Sequence, residues 1–389
     1  MKEAVFLQEV KEIQLLKNAL TLLDWDSSTG MPEKSSPFRG EVEGYLTGLY
    51  FERSIGPVIQ EALAYFETRP EELSELGKLV FEKVKEEYAL NKNVPAERMQ
   101  EYVKVLNQAH TDWLKARAAQ DFGLLEETLT KVVAFQKEFI PYWQKEEKTP
   151  YDVLLNQFEP GMTVEKLDQV FDQVKQGIQE IRTVLAEKGT PPRTDFLSRK
   201  MTKEQQRRFV IGVVEQLGYD FSKGRLDDTV HPFMTALNRN DARITTRWEE
   251  NNFSMATFGV IHEAGHGMYE QNFDPKFDFT PLSEGASMGI HESQSLFNEI
   301  IIGSNRAFWQ KQYPFFQECA EGTFDDIAFE DFYASLKETK ASLIRIDSDS
   351  LTYPLHIIIR YEIEKMLFHG SLEVADLPKV WNEQYQEDL

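Results

Sequence analysis

Two histidines four residues apart, with a glutamate beside the first, stand in the run "HEAGH" at His262 to His266. On a helix such histidines lie one turn apart on the same face, so both imidazoles can be turned on one ion. Glu263 lies about one hundred degrees around the helix from His262, off the ligand line but within reach of a water beside that ion. This is chemistry for hydrolysing an amide. Three protein ligands leave zinc an open position, zinc brings the pKa of water near 7, and a glutamate alongside takes the proton as hydroxide attacks a carbonyl. With seven histidines in 389 residues, the pattern arises by chance in roughly one such chain per hundred. A third ligand must therefore carry the argument.

The long metalloprotease motif requires Gly and His where this chain has Tyr269 and Asn272, so that version is excluded. The other common arrangement takes a glutamate from a second helix some two dozen residues on. Glu292, in "GASMGIHESQSLFNEII", lies 292 − 266 = 26 residues beyond His266. The expected metal set is therefore His262, His266 and Glu292, with Glu263 as the catalytic base. Zinc is the default ion, and cobalt or another divalent metal suits the same ligands. Ligand histidines usually donate their second ring N–H to a carboxylate or carbonyl. The Asp that a thermolysin-like pattern would supply is replaced by Leu296, so some other group must orient the histidines, and Glu299 is a candidate. His291 points about one hundred degrees away from its neighbour Glu292 and is expected to support the site without ligating.

The elements that must position these groups are helices. Phe258, Ile261, His262, Gly265, His266 and Tyr269 form one stripe at three- and four-residue spacing, which turns the ligand face inward. Gly265 and Gly267 each cost such a helix about 1 kcal/mol relative to Ala, and close approach of another backbone would explain that cost. Phe6, Val10, Ile13, Leu16, Leu20 and Leu23 give the opening segment an amphipathic helix. Val164, Leu167, Phe171, Val174, Ile178 and Ile181 give another, with Thr163 as its N-cap. "EKGTPPRTD" is the best lobe boundary, dividing an N-terminal helical lobe (1–195) from a catalytic lobe (196–389). After it, "ARITTRW" alternates polarity with β-branched residues and predicts a short strand or hairpin. The helical pattern returns from Ser254 through "FEDFYASLKETKASLIRI" and "LHIIIRYEIEKMLF" to the end.

The chain is 41% hydrophobic and 12% aromatic, ample for a large core. Its 43 Lys and Arg against 65 Asp and Glu give a net charge of −22, which argues against nucleic acid and anionic membrane as partners. The single cysteine, Cys319, rules out an intramolecular disulfide and suits a reducing cytoplasm. Charges interrupt the apolar residues near the N-terminus, and no apolar run reaches spanning length, so neither a signal peptide nor a membrane span is expected.

Beyond the zinc motif, the chain carries "HPF" at His231 to Phe233, "DARIT" at Asp241 to Thr245, "HESQS" at His291 to Ser295 and "IRIDSD" at Ile344 to Asp349. In these stretches, and in "LLDWDSSTGMP", "YDVLLNQFEPGMT" and "GYDFSKGRLDDTVHPF", it resembles the carboxypeptidase Taq family of metal-dependent carboxypeptidases over nearly its whole length. Ser348 stands where the family usually has Ala. The resemblance implies a mainly α, saddle-like zincin with a deep groove and a small β-sheet beside the metal site. It also implies a homodimer and removal of single residues from peptide C-termini with broad specificity. The family's Gln-Asp-x-His-Trp motif would fall beyond Leu389. One alternative is therefore a metal-binding but catalytically weak truncated form, and another is an endo- or aminopeptidase using the same zinc site.

An enzyme acting at the C-terminus must recognise a free carboxylate, which arginine does best through its planar fork of donors. Arg345, within the family-like "IRIDSD", is the first choice; an ion pair with Asp347 or Asp349 is its structural rival. Arg243 and His231 are further candidates for substrate binding. Their rival roles are a fold-stabilising contact between Arg243 and Asp241, and a turn held by His231.

Overall fold

The computed structural model describes residues 1–345 and 348–389, with the side chain of residue 96 excepted. In chain order the helices are α1 (Glu3–Thr29), α2 (Ser36–Ser54), α3 (Pro57–Phe66), α4 (Glu75–Asn93), α5 (Ala96–Ala119), α6 (Gly123–Trp143), α7 (Pro150–Phe158) and α8 (Val164–Lys188). They continue as α9 (Lys203–Leu217), α10 (Phe253–Gln271), α11 (Met288–Leu296), α12 (Arg306–Ala320), α13 (Phe329–Ser335), α14 (Tyr353–His369) and α15 (Leu377–Asp388). Three short strands lie between α9 and α10: β1 (Leu226–Asp228), β2 (Met234–Asn238) and β3 (Asp241–Thr246). The fold is thus mainly helical with one small sheet. Among the described residues no helix is long and apolar enough to cross a membrane.

Local sequence accounts for many of the boundaries. Thr163 accepts a hydrogen bond from the Lys166 amide as the N-cap of α8, and Thr202 with Gln205 forms a capping box on α9. The hairpin expected around "ARITTRW" is β2 and β3, paired antiparallel with an irregularity between Ala236 and Asn238. β1 joins the other edge of β3 in parallel; three residues are too few for periodicity to reveal. The helical reading of "FEDFYASLKETKASLIRI" is cut short, because α13 ends at Ser335. From Lys337 to Ser342 that stretch offers no large apolar side chain to bury, and the later Leu343 and Ile344 are exposed. Tertiary burial, which supports most helices, is missing there.

By its contacts the chain forms two compact units, each assembled from two segments: residues 1–88 with 192–336, and 89–191 with 337–389. One crossing, at Pro191 and Pro192, falls inside the expected boundary "EKGTPPRTD", while the other two lie near Tyr88 and Leu336. The first unit has an aromatic core on α9, α10, α12 and α13, including Phe209, Phe253, Trp309, Phe316 and Phe332, all essentially buried. In the second unit α14 is the central element. Its Tyr361 hydroxyl donates to Asp168 of α8 at 2.7 Å, and Tyr151 of α7 donates to its Glu364 at 2.7 Å.

Candidate metal centre

α10 is a poor helix by composition and a good one by position. Gly265 faces α11 so closely that a Cβ there would lie 2.7 Å from both the Gln294 carbonyl oxygen and the Ser295 Cα. Gly267 would meet the Tyr219 ring at 2.7 Å and the Ile244 side chain of β3 at 3.5 Å. The glycines that weaken α10 are thus what allow α11 and the sheet to close on it. α11 starts at Ser287, whose hydroxyl accepts from the Ile290 amide as N-cap. It runs on into a wider π-helical turn, Phe297–Ile302, which carries Glu299.

This packing gathers His262, His266 and Glu292, whose ligand atoms all lie within 4.8 Å of one another. Glu292 Oε2 is 3.2 Å from His266 Nε2 and 3.7 Å from His262 Nε2. Ligands about 2.1 Å from a tetrahedral zinc lie roughly 3.4 Å from each other, so the donor types and the two spacings from Glu292 suit such an ion. Burial pushes the Glu292 carboxyl up, but the hydrogen bond with His266 and the charges of His262 and His266 outweigh it and hold the group below the usual carboxylate value. Glu292 is thereby kept ionised, as a ligand must be.

Behind the ligand face each histidine has a partner. His262 Nδ1 lies 2.8 Å from Glu299 Oε2, on the residue expected from the sequence to replace the missing Asp. Burial pulls the His262 pKa down, and contact with Glu299 more than reverses it. His266 Nδ1 lies 2.6 Å from Nδ1 of His291, whose Nε2 lies 2.8 Å from Glu270 Oε1. His291 is thus placed against His266 and is not one of the three clustered donors. Glu270 was not singled out from the sequence, although it continues the four-residue ladder His262, His266, Glu270 along α10. Glu263 is 8% exposed, and its carboxyl is pushed up to about 7, chiefly by burial, with Glu292 and Glu299 adding to the rise and His262 opposing it. A carboxyl poised near neutrality is suited to moving a proton in both directions.

The substrate candidates are less uniform. Arg243 is half-buried on β3, with its guanidinium forked onto Asp241 by two bonds of 2.8 Å and lying 4.4 Å from the centre of the Trp25 ring. His231 is exposed just before β2. Arg345 belongs to the second unit, where its Nη1 donates to the Tyr353 hydroxyl at 2.8 Å. Asp349, its expected rival partner, instead accepts from the Leu351 and Thr352 amides at 2.9 and 3.1 Å at the entry to α14. Asp347 lies outside the described residues.

The chain matches the family model described as carboxypeptidase Taq (M32) metallopeptidase over residues 5–389. It is 44% identical over 387 residues to carboxypeptidase 1 of Bacillus subtilis, covering all of this chain and 77% of that relative. It is 33% identical over 390 residues to thermostable carboxypeptidase 1 of Thermus thermophilus, covering 97% of this chain and 76% of the relative. Among solved structures, the M32 carboxypeptidase of Deinococcus radiodurans superposes with a TM-score of 0.94 at 33% identity, covering 98% of this chain and 76% of that one.

Proposed function

The chain belongs to the carboxypeptidase Taq (M32) family of metallopeptidases, and from that premise we propose that His262, His266 and Glu292 hold its divalent ion, zinc by default, with Glu263 as the proton-transferring base. The chain is a metallocarboxypeptidase, which hydrolyses peptides from the C-terminus. The endo- and aminopeptidase readings and the catalytically weak form are not favoured, because the relatives it matches along its whole length are named carboxypeptidases. The observation that carries the site assignment is the convergence of two imidazole nitrogens and one carboxylate oxygen within 4.8 Å, beside a buried glutamate.

A divalent ion at this position supplies Lewis acidity, polarising the scissile carbonyl and acidifying water. The rest is done by the chain. Glu263 accepts a proton from the attacking water and returns it to the departing amine, a transfer for which a carboxyl near neutrality is well placed. Glu299 holds His262 in the tautomer that leaves Nε2 free of a proton. Arg345 is the proposed anchor for the substrate's terminal carboxylate, supported by its family-like motif and by the fork geometry of arginine. Arg243 and His231 are proposed to line the substrate path; Arg243 does so while its guanidinium stays bound to Asp241. Location in the cytoplasm and assembly as a homodimer complete the reading.

The experiment is mass-spectrometric laddering of a peptide, as free acid and as C-terminal amide, with and without chelator. Stepwise loss of C-terminal residues from the free acid alone, stopped by chelator, is the expected result. Cleavage of the amide at the same rate would remove Arg345 and the terminal carboxylate from the reading.

A further inference from the structure

The two ligand histidines are backed in different ways. His262 faces a carboxylate directly, whereas His266 faces a second imidazole, with a carboxylate one step further back. We propose that His291 and Glu270 form a positioning couple that fixes the tautomer of His266 for metal binding; this rests on the reading of His262, His266 and Glu292 as ligands.

The argument is a count of protons. A neutral histidine that offers Nε2 to an ion carries its proton on Nδ1. His266 Nδ1 lies 2.6 Å from His291 Nδ1, so one proton must sit between two nitrogens. If it belongs to His266, His291 accepts at Nδ1 and holds its own proton on Nε2. Glu270 Oε1, 2.8 Å from that Nε2, is an acceptor and matches this arrangement. The opposite assignment protonates Nε2 of neutral His266, points that proton at Glu292 and takes the nitrogen away from an ion. Glu270, by demanding a proton from His291, selects the first arrangement.

The His291 ring is held for this task. It lies on α11 next to Glu292, with its centroid 4.6 Å from that of His266 and edge-on to Tyr269 at 5.3 Å. Gly285 closes over it: a Cβ there would come within 2.7 Å of His291 Cδ2. The Tyr269 hydroxyl accepts from the Ala286 amide at 3.3 Å, tying the same loop to α10. Glu270 is only 6% exposed, a buried carboxylate whose identified partner is this ring.

The test is cobalt(II) titration of the metal-free full chain against a competing chelator, for the wild type, His291→Phe, Glu270→Gln and Glu292→Ala. It is read together with the melting temperature of each metal-free protein and the exchangeable hyperfine-shifted N–H signals of the cobalt forms. The wild type should show two such signals, one for each ligand Nδ1–H. His291→Phe should bind cobalt about 10–100-fold more weakly and lose the His266 signal, with little change in metal-free melting. Glu270→Gln keeps an acceptor but drops the charge, and should give a smaller loss of the same sign. Binding by His291→Phe within about twofold of wild type, or with both signals intact, overturns the proposal. So does an affinity loss matched by an equal loss of metal-free stability. If His291→Phe does not fold, Glu270→Gln decides, and unchanged binding by it removes the couple. Cobalt retained by Glu292→Ala overturns the ligand reading instead, independently of the couple.

Discussion

The α10–α11 pair and the segment from Lys337 to Thr352 are built to different standards. In the first, helices close on each other through Gly265, both histidines have partners within 2.8 Å on their outer nitrogens, and a carboxylate is set against their inner ones. In the second, no α-helix is found among the described residues before α14 opens at Tyr353, Leu343 and Ile344 are 76% and 56% exposed, and Arg345 donates to a single tyrosine hydroxyl among its described contacts. An ion needs its ligands held before it arrives, because a small misplacement loses the geometry that defines the site. A terminal carboxylate is a larger target, which a guanidinium fork can meet with some freedom.

The contrast breaks or holds first at Glu292. If it is a ligand, Glu292→Ala should strip the ion from the purified protein and abolish peptidase activity with it, as read by elemental analysis beside an assay on a free-acid peptide. Retained metal would leave the pair ordered for some other reason. Next is Glu263→Gln, expected to lower kcat by roughly 10²–10⁴ while metal content and KM stay near wild type. The same residue sets a pH dependence. Its carboxyl, pushed up to about 7 chiefly by burial, must be ionised to accept a proton, so kcat/KM should rise with pH through that region or below it once a cation is bound. For the metal-free protein the sign is opposite. A raised pKa contributes stability below the ordinary carboxylate value and loses it as pH rises through about 7. Metal-free Glu263→Gln should therefore melt above wild type at about pH 8 and converge with it at about pH 5.

The unequal construction also explains what could be read without a structure. The gathering of His262, His266 and Glu292 was legible because helical period four and a second glutamate at a fixed distance are local or nearly local patterns, and the cost of Gly265 pointed to the neighbouring backbone that is found there. Glu299 was within reach as a candidate, because it lies on the same stretch of chain shortly after Glu292. Glu270 was not, because its role depends on where the His291 ring turns, and that is fixed by Gly285 and Tyr269 across the fold. β1 and the early end of α13 were missed because three residues carry no period and because helix length there is decided by burial.

Two smaller effects sharpen the comparison from each side. Arg345→Met should raise KM and lower kcat/KM for free-acid peptides by about 10–100-fold, the worth of one or two charge-assisted hydrogen bonds, with metal content unchanged. An equal loss on amidated peptides would mean that the residue holds the segment and not the substrate. Gly265→Ala should cost about 1–3 kcal/mol of stability by overpacking, since the atoms it meets are backbone of α11 and cannot swing aside. Differential scanning calorimetry reads it, and wild-type melting would show that the two helices can part without loss.

Ser348→Ala is the mildest change and the most direct probe of how firmly Arg345 is held. The Ser348 hydroxyl lies 2.6 Å from Nε2 of His356 and 3.1 Å from the Ile344 carbonyl oxygen. His356 is wholly buried, with burial and the nearby Arg360 charge pulling its pKa down, so the ring is neutral. Its Nδ1 lies 3.0 Å from the Tyr385 hydroxyl, which accepts from Arg360 at 3.0 Å. One arrangement of protons satisfies all of these contacts. Tyr385 donates to Nδ1, Nε2–H donates to Ser348, and Ser348 donates to the Ile344 carbonyl. The serine is thus a structural link from a buried histidine to the residue preceding Arg345, and with its proton committed to a carbonyl it is not poised as a nucleophile. Alanine leaves the His356 N–H without that acceptor, at a cost of about 1 kcal/mol or somewhat more, and should lower the melting temperature by a few degrees. Since Arg345 keeps Tyr353, kcat/KM should change by less than about threefold. A tenfold loss would mean that the arginine segment is preorganised as strictly as the metal-binding pair.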